Sequence, residues 1–382
     1  MDLSKMTLVE IGENVAGPLS GQVLADLGMT VIKVENPSGG DASRHMGAPK
    51  RHGSAAMFHA NNRNKRSLAL DLKDPANVAL LKRFIVERAD VVLQNLRPGT
   101  VEKIGLDAAS LRAVKPSLVY CNVGAFTKGG PNAHKGGYDL ILQAYSGLLS
   151  LTGYPDRPPV RIGISSIDIT ASLWNAIGIL AALAKRSVTG EGATVDNSLF
   201  ETSMFMMGAS LAQYKFSGKI PVRAGAQLPG FVPLQPFDTK DGQLVIATAN
   251  DGLFRRVADA LGKPEWKTDP RFATLNARFE NKDLVVGAIQ EVLSSNTRAH
   301  WQSVLDAFDV PCGPVHDLAQ ATSNPEVEYS QIFKKLPGRD DIEVVGFPLS
   351  FNGDRPPIRH NPPDLGEFNA EFFATLGSRP KA

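Results

Sequence analysis

Short apolar runs alternate with stretches of helical spacing along the first half of the chain. Thr7 to Ile11 (TLVEI) is a strand-type run, and Leu19 to Leu27 repeats apolar residues at helical intervals before stopping at Gly28. Thr30 to Glu35 (TVIKVE) is rich in β-branched residues, so the chain opens as a βαβ unit. Between the first strand and its helix lies a glycine-bearing loop, Gly12-Glu13-Asn14-Val15-Ala16-Gly17-Pro18. A loop of this kind gathers unpaired N–H groups and the positive end of a helix dipole, which suits an anion such as phosphate.

The alternation persists. Ser67 to Asp71, Asp90 to Asn95, Ser117 to Val123 and Ala193 to Asp196 read as strands. Asp74-Pro75 opens a helix reaching Arg88, and Asp107 caps a shorter one. Gly137 to Leu151 and Ile169 to Arg186 are helical, the second apolar nearly all round and therefore expected to be buried. A Met- and Phe-rich helix ends near Gly218. Strands separated by helices predict an α/β fold with a mostly parallel sheet covered on both faces.

The pattern changes after Gly218. Pro, Gly and Arg dominate Lys219 to Pro233, which reads as a linker or an active-site loop. Leu234 to Asp238 and Gln243 to Thr248 form a hairpin around Asp241-Gly242, and helices follow at Gly252 to Leu261, Lys282 to Leu293 and Arg298 to Phe308. The expected organisation is a large domain over 1–218, a linker over 219–231 and a small α+β domain over 232–322. The segment 323–382, with a strand at Ile342 to Phe347 and a helix at Glu367 to Leu376, returns to complete the large domain.

Composition narrows the function classes. Among 382 residues, 41 Lys and Arg face 39 Asp and Glu, a balance that argues against a duplex nucleic acid as the main partner. Cys121 and Cys312 cannot build a disulfide framework, and neither lies in a metal-ligand spacing. The first residues carry no export signal, and the longest apolar run, Ala176 to Ala184, is too short for a membrane span. A soluble, reduced, cytoplasmic protein is expected, with no metal and no permanently bound cofactor.

G-x-G-x-x-G and Walker A patterns are absent, so Glu35 at the ribose-acid position of a dinucleotide fold reads as coincidence. Asp168 stands in Gly163-Ile164-Ser165-Ser166-Ile167-Asp168, where the chain enters an apolar helix. The residue alone supports two readings: a helix cap, or a partly dehydrated carboxylate able to attack an activated acyl group. Lys73, Arg97, Lys103 and Lys135 form a candidate rim for a polyanionic ligand, joined by Asn64-Lys65-Arg66. Asp139 reads as a first-turn carboxylate complementing the dipole of its own helix. His316, in Gly-Pro-Val-His, reads as part of a turn in the small domain.

Stretches such as AGPLSGQVLADLGMTVIKVENPSGGD (16–41), LQNLRPGTVEKIGLD (93–107), GGYDLILQAYSGLLSLTG (136–153), IDITASLWNAIGILAAL (167–183) and VPCGPVHDL (310–318) run in order along the chain. In this arrangement the sequence resembles the class III CoA-transferase, or CaiB/BaiF, family. The resemblance implies a large Rossmann-like domain with a smaller one, in a homodimer whose chains interlock like links. It places the family's nucleophilic aspartate on Asp168, which would form a mixed anhydride and then an aspartyl-CoA thioester. Coenzyme A and acyl-CoA are then substrates, with contacts implied at Val15, Ala16, Leu70, Lys73, Asn95, Leu96, Lys103 and Tyr138.

The chain also departs from the family. Asn36 stands where an arginine can meet the nucleotide, which shifts phosphate recognition toward Lys65 or Arg66. A glycine run that covers the site in formyl-CoA transferase is replaced by Leu228-Pro229-Gly230-Phe231. Arg44 is a candidate partner for a second substrate carboxylate, pointing to a short dicarboxylate such as succinate. Related α-methylacyl-CoA racemases carry a His-Asp pair where this chain has Tyr138-Asp139, and a phenol of reference pKa about 10 is a poor base at neutral pH. A racemase and a catalytically silent CoA-binding protein are the alternatives.

Overall fold

The protein is described here by a computed structural model covering residues 2–376. Met1 and residues 377–382 of the expected C-terminal segment lie outside the described residues. The chain divides into two compact units. One comprises the chain through Leu149, Arg161–Lys219 and everything from Ser330 onward; the other comprises Ser150–Val160 and Ile220–Tyr329.

The first unit is built on a six-stranded sheet: β1 (Thr7–Ile11), β2 (Thr30–Glu35), β3 (Lys65–Ala69), β4 (Val91–Gln94), β5 (Val119–Gly124) and β6 (Thr194–Ser198). All neighbours are parallel, in the order β3-β2-β1-β4-β5-β6. This is the doubly wound order expected of a Rossmann-like domain, and it reverses direction between β1 and β4. Nearly every residue of β1 and β4 is buried, as a sheet covered on both faces requires.

Helices α1 (Ala16–Asp26) and α2 (Pro75–Arg88) follow β1 and β3. The side chain of Asp74 caps α2 with Pro75 in its first turn, as the dipeptide predicts. Helix α3 (Asp139–Ser146) ends at Gly147 in the left-handed conformation, so the predicted helix to Leu151 stops short and continues as a 3-10 turn. Helix α4 (Ser166–Thr189) starts three residues before the predicted position. The Met-rich helix is two helices, α5 (Leu199–Met206) and α6 (Gly208–Ser217), broken at Met207-Gly208.

Helix α4 corrects one expectation. It is long and apolar enough, by length and composition, to cross a membrane, although charged residues at both ends interrupt the apolar pattern. It packs on α1, β5 and β6, but Leu173, Trp174 and Ile177 remain exposed within the chain. The helix is apolar nearly all round between its charged ends, yet its neighbours in this chain cover only part of it, where burial was expected.

The second unit holds α7 (Asp251–Ala260), α8 (Lys282–Leu293) and α9 (Arg298–Ala307) around an antiparallel sheet. Its strands are β7 (Leu234–Thr239), β8 (Gly242–Ala247) and β9 (Cys312–Pro314), with β8 central. The predicted hairpin is present. Gly-Pro-Val-His is not a simple turn, because Gly313 and Pro314 lie in the edge strand β9 and His316 is exposed beyond it. Ser150–Val160 belongs to this unit, contrary to the expected boundaries: Gly225 N–H donates to the Gly153 carbonyl at 2.9 Å, and Arg223 donates to the carbonyls of Tyr154 and Arg157. The segment 219–231 thus joins the smaller unit beyond Lys219 and is not a separate linker.

Although 323–329, expected to return with it, belongs to the smaller unit, the tail belongs to the first unit from Ser330. It brings the hairpin β10 (Phe333–Leu336) and β11 (Arg339–Val345), where one strand was predicted, and then α10 (Asn369–Leu376). Asn369 brackets the main chain of Ala69, accepting from its N–H at 2.8 Å and donating to its carbonyl at 3.0 Å. Phe372 stacks obliquely on Phe84 at 5.3 Å. The tail therefore satisfies the open edge of β3 and seals one face of the sheet.

Candidate active site

Open α/β sheets bind ligands outside the carboxyl ends of their strands where the strand order reverses. Here that point lies between β1 and β4, and the loop after β1 is held from both sides. Asn95, just past β4, accepts from Glu13 N–H at 2.9 Å and donates to the Glu13 carbonyl at 2.9 Å. A side chain at Gly12 would sit 2.3 Å from the Asn95 amide oxygen, so the clamp requires glycine there.

Beneath the loop, three cations meet three carboxylates. Lys33 reaches Glu10 at 2.9 Å and Asp41 at 2.8 Å, Lys65 reaches Glu10 at 2.8 Å, and Arg44 reaches Glu35 at 2.8 Å. Lys33 also donates to the Gly12 carbonyl at 2.8 Å, and Asp41 accepts from Asn14 N–H at 3.1 Å. Burial works against the ionised carboxyls of Glu35 and Asp41, yet Arg44 and Lys33 respectively hold them below the usual range. Burial likewise opposes the Lys33 ammonium, but Glu10, Asp41 and Glu35 raise its pKa. The Lys65 ammonium, with less compensation, is pulled down by burial to about 8. A buried charge is tolerable when paired and hydrogen-bonded, and this cluster meets that condition while shaping the loop from below.

Two sequence expectations end in this cluster. Arg44 is 5% exposed; its guanidinium also donates to the Pro363 carbonyl at 3.0 Å and lies over the Phe58 ring. With its donors engaged inside the fold, Arg44 is not placed to meet a substrate carboxylate. Lys65 is fully buried and donates to the Pro18 carbonyl at 2.6 Å, so it is not a phosphate ligand either. Arg66 pairs with Glu371 and lies over Phe368. Glu35, occupied by Arg44, Ser67 and Asp41 N–H, is not free for a ribose.

At the start of α4 the electrostatics are opposite. Ser165 holds the N-cap position without a side-chain capping bond. Asp168 is half-buried, and its carboxylate makes no hydrogen bond or ion pair among the described residues. Burial first, and the negative charge of Asp139 second, push its pKa up to about 7. The cap comes from elsewhere: Asp139 accepts from Ile167 N–H at 2.8 Å and, at the limit of a hydrogen bond, from Asp168 N–H at 3.4 Å. Asp139 therefore serves the helix after it in sequence as well as its own. No local pattern announces this, because the two residues are 29 positions apart.

The Ser172 hydroxyl lies between the main-chain oxygens of Ala16, at 3.0 Å, and Asp168, at 2.8 Å, which brings the loop after β1 beside the first turn of α4. One Ser172 hydroxyl thus links Ala16 to the main chain of Asp168, Asn95 is bonded to Glu13 in the same loop, and Tyr138, exposed, directly precedes Asp139. The Leu70 side chain is packed in the core, which leaves only its main chain for a ligand. Lys73 and Lys103 are exposed and have no ion pair among the described residues. They lie on the segments that follow β3 and β4, strands standing three places apart in the sheet.

A doubly wound α/β core, a clamped loop at its switch point and, beside it, a carboxylate with no partner among the described residues make the carboxyl ends of these strands the candidate site. The sequence matches the family described as CoA-transferase family III over residues 3–369, and the protein belongs to that family as a CoA-transferase. It is 36% identical over 386 residues to the succinate–glutarate CoA-transferase of Agrobacterium fabrum, covering 98% of this chain and 95% of the relative. It is also 36% identical over 377 residues to the succinyl-CoA–D-citramalate CoA-transferase of Chloroflexus aurantiacus, covering 98% and 94%. Among solved structures, a CaiB/BaiF family protein from Brucella suis superimposes with a TM-score of 0.87 at 35% identity, covering 97% of this chain and 98% of that one.

Proposed function

We propose that Asp168 carries coenzyme A between two acids through covalent intermediates. Its carboxylate oxygen attacks the thioester carbonyl; a C–O bond forms, the C–S bond breaks, and coenzyme A leaves as the thiolate. The thiolate then attacks the Asp168 carbonyl of the mixed anhydride, releasing the donor acid and leaving an aspartyl-CoA thioester. The acceptor carboxylate attacks that thioester, and returning thiolate attacks the acyl carbon of the new anhydride, regenerating Asp168. The carrying observation is an Asp168 carboxylate with no partner among the described residues, on a helix already capped by Asp139. An ionised form is needed for attack, so acylation increases as pH rises through about 7.

Short dicarboxylates are the proposed acids. Support comes from relatives named for succinate, glutarate and D-citramalate, and no longer from Arg44. Val15, Ala16, Asn95, Leu96, Tyr138 and the main chain at Leu70 are proposed to line the CoA site, with Lys73 and Lys103 toward its phosphates. Leu173, Trp174 and Ile177 on α4, with Phe205 packed edge-on against Trp174, support a second copy of the chain as their cover. The tests are direct. The protein is incubated with succinyl-, glutaryl- and acetyl-CoA, trapped with hydroxylamine, and its Asp168 peptide weighed. A hydroxamate at Asp168, with CoA passed to a dicarboxylate acceptor, is the expected result. No modification with any donor overturns the covalent route. Light scattering reads the mass: a dimer is expected, and a monomer removes the covering copy.

A further inference from the structure

Two carboxylates converge on the first turn of α4, and the chemistry above uses one. Asp139 is 5% exposed, and its Oδ2 takes the N–H groups of Ile167 and Asp168. Its Oδ1 accepts from the Gln143 amide at 2.6 Å, one turn along α3. Gln143, wholly buried, in turn accepts from Ile162 N–H at 3.1 Å on the segment leading into α4. The pair thus clips both the approach to the helix and its first turn. These N–H groups are the orphan donors of a helix start, and an aspartate in the first turn is itself a ready acceptor for them.

We propose that Asp139, held by Gln143, is a positioning residue for acyl transfer: it caps α4 from a neighbouring helix, fixing the main chain of Asp168 while leaving the Asp168 carboxylate free to attack. The proposal rests on the reading of Asp168 as the nucleophile. It has an electrostatic side. Asp139 accepts from the Asp168 N–H and its negative charge disfavours the ionised Asp168 carboxyl; acylation turns Asp168 into a neutral group and relieves that repulsion. The other charged or titratable groups on elements packed against α4 are engaged elsewhere. Asp26 on α1 pairs with Arg63, Glu201 on α5 bonds Ser198, and Asp196 on β6 pairs with Lys128. On α3, Tyr145 accepts from Asn132; on β5, Tyr120 donates to the Leu106 carbonyl and Cys121 is buried. On α4 itself, Lys185 and Arg186 lie at the far end.

The test uses the full chain and whichever of the three CoA donors labels the unmodified protein best. Hydroxylamine trapping at Asp168 is followed from pH 6 to 8.5, beside steady-state kcat and KM, for Asp139→Ala and Asp139→Asn. Asp139→Ala is expected to lower kcat by about 100-fold with KM for the donor within about 3-fold. Asp139→Asn keeps an acceptor oxygen but not the charge; it is expected to recover much of the lost rate and to move the midpoint of the labelling profile about one pH unit toward acid. A midpoint unchanged in Asp139→Asn overturns the electrostatic part. Asp139→Ala with unchanged kcat, or a loss confined to KM, overturns the positioning role. Thermal melts and CoA binding check folding, and if Asp139→Ala does not fold, the labelling rate and midpoint of Asp139→Asn decide. Absence of label at Asp168 in the unmodified protein instead defeats the nucleophile reading and this inference with it, whereas label that is indifferent to Asp139 defeats this inference alone.

Discussion

Two groups of buried acidic side chains lie near the switch point, and they are treated in opposite ways. Under the β1 loop, Glu10, Glu35 and Asp41 each have a cation within about 3 Å, and together they shape the backbone above them. At the start of α4, Asp139 is spent on N–H groups, and the half-buried Asp168 carboxylate has no hydrogen bond or ion pair among the described residues. Pairing stabilises a charge and makes it inert. Leaving one carboxylate partly dehydrated and unpaired makes it basic, and a more basic carboxylate is the better nucleophile toward a thioester. The contrast separates scaffold from chemistry within one unit.

The sharpest way to break the comparison is at Asp168. Asp168→Asn is expected to reduce turnover by at least about 10³-fold while CoA binding, followed by calorimetry, persists. Loss of CoA binding together with turnover would return Asp168 to a structural role. Next comes the paired cluster. Lys33→Met leaves Glu10 and Asp41 short of a buried partner, and urea unfolding is expected to show a loss of about 3–5 kcal/mol. A change below about 1 kcal/mol would mean the cluster is not what holds the loop region.

The third prediction separates the two groups by pH. Asp168 has a raised pKa when folded, so ionisation disfavours the folded state as pH climbs from about 4 through 7. Asp168→Asn removes that cost: the variant is expected to match the parent near pH 4 and exceed it by about 2–4 kcal/mol above pH 7, read from paired denaturation curves. Parallel curves would contradict the raised pKa. The smallest effect is at the rim. Lys73→Ala and Lys103→Ala are each expected to raise KM for the CoA donor by about 2–5-fold, with the difference shrinking as salt is added and kcat unchanged. A salt-independent loss of kcat would place either lysine in the chemistry.

Much of the fold was legible because its signals are local. The βαβ opening, the Asp74-Pro75 helix start and the Asp241-Gly242 hairpin depend on period, caps and turn chemistry, and each appears where expected within a few residues. Asp168 was legible as a lone acid entering an apolar helix. The misreadings came where partners are distant in sequence. Arg44 and Lys65 read as ligand-binding cations, since nothing within a few positions foretold their burial against Glu35 and Glu10. The boundary at Ser150–Val160 was set by hydrogen bonds to residues some 70 positions away.

Taken alone, the order of amino acids determined the alternation of strand and helix, a mostly parallel sheet covered on both faces and the presence of a carboxylate at the head of α4, because period and capping act over single turns. Only the folded chain decided which charges are neutralised and which is left bare. That choice depends on burial and on neighbours brought from β2, β3 and α3, and a side chain's reactivity follows its dielectric surroundings and its partners, which no local stretch of residues specifies.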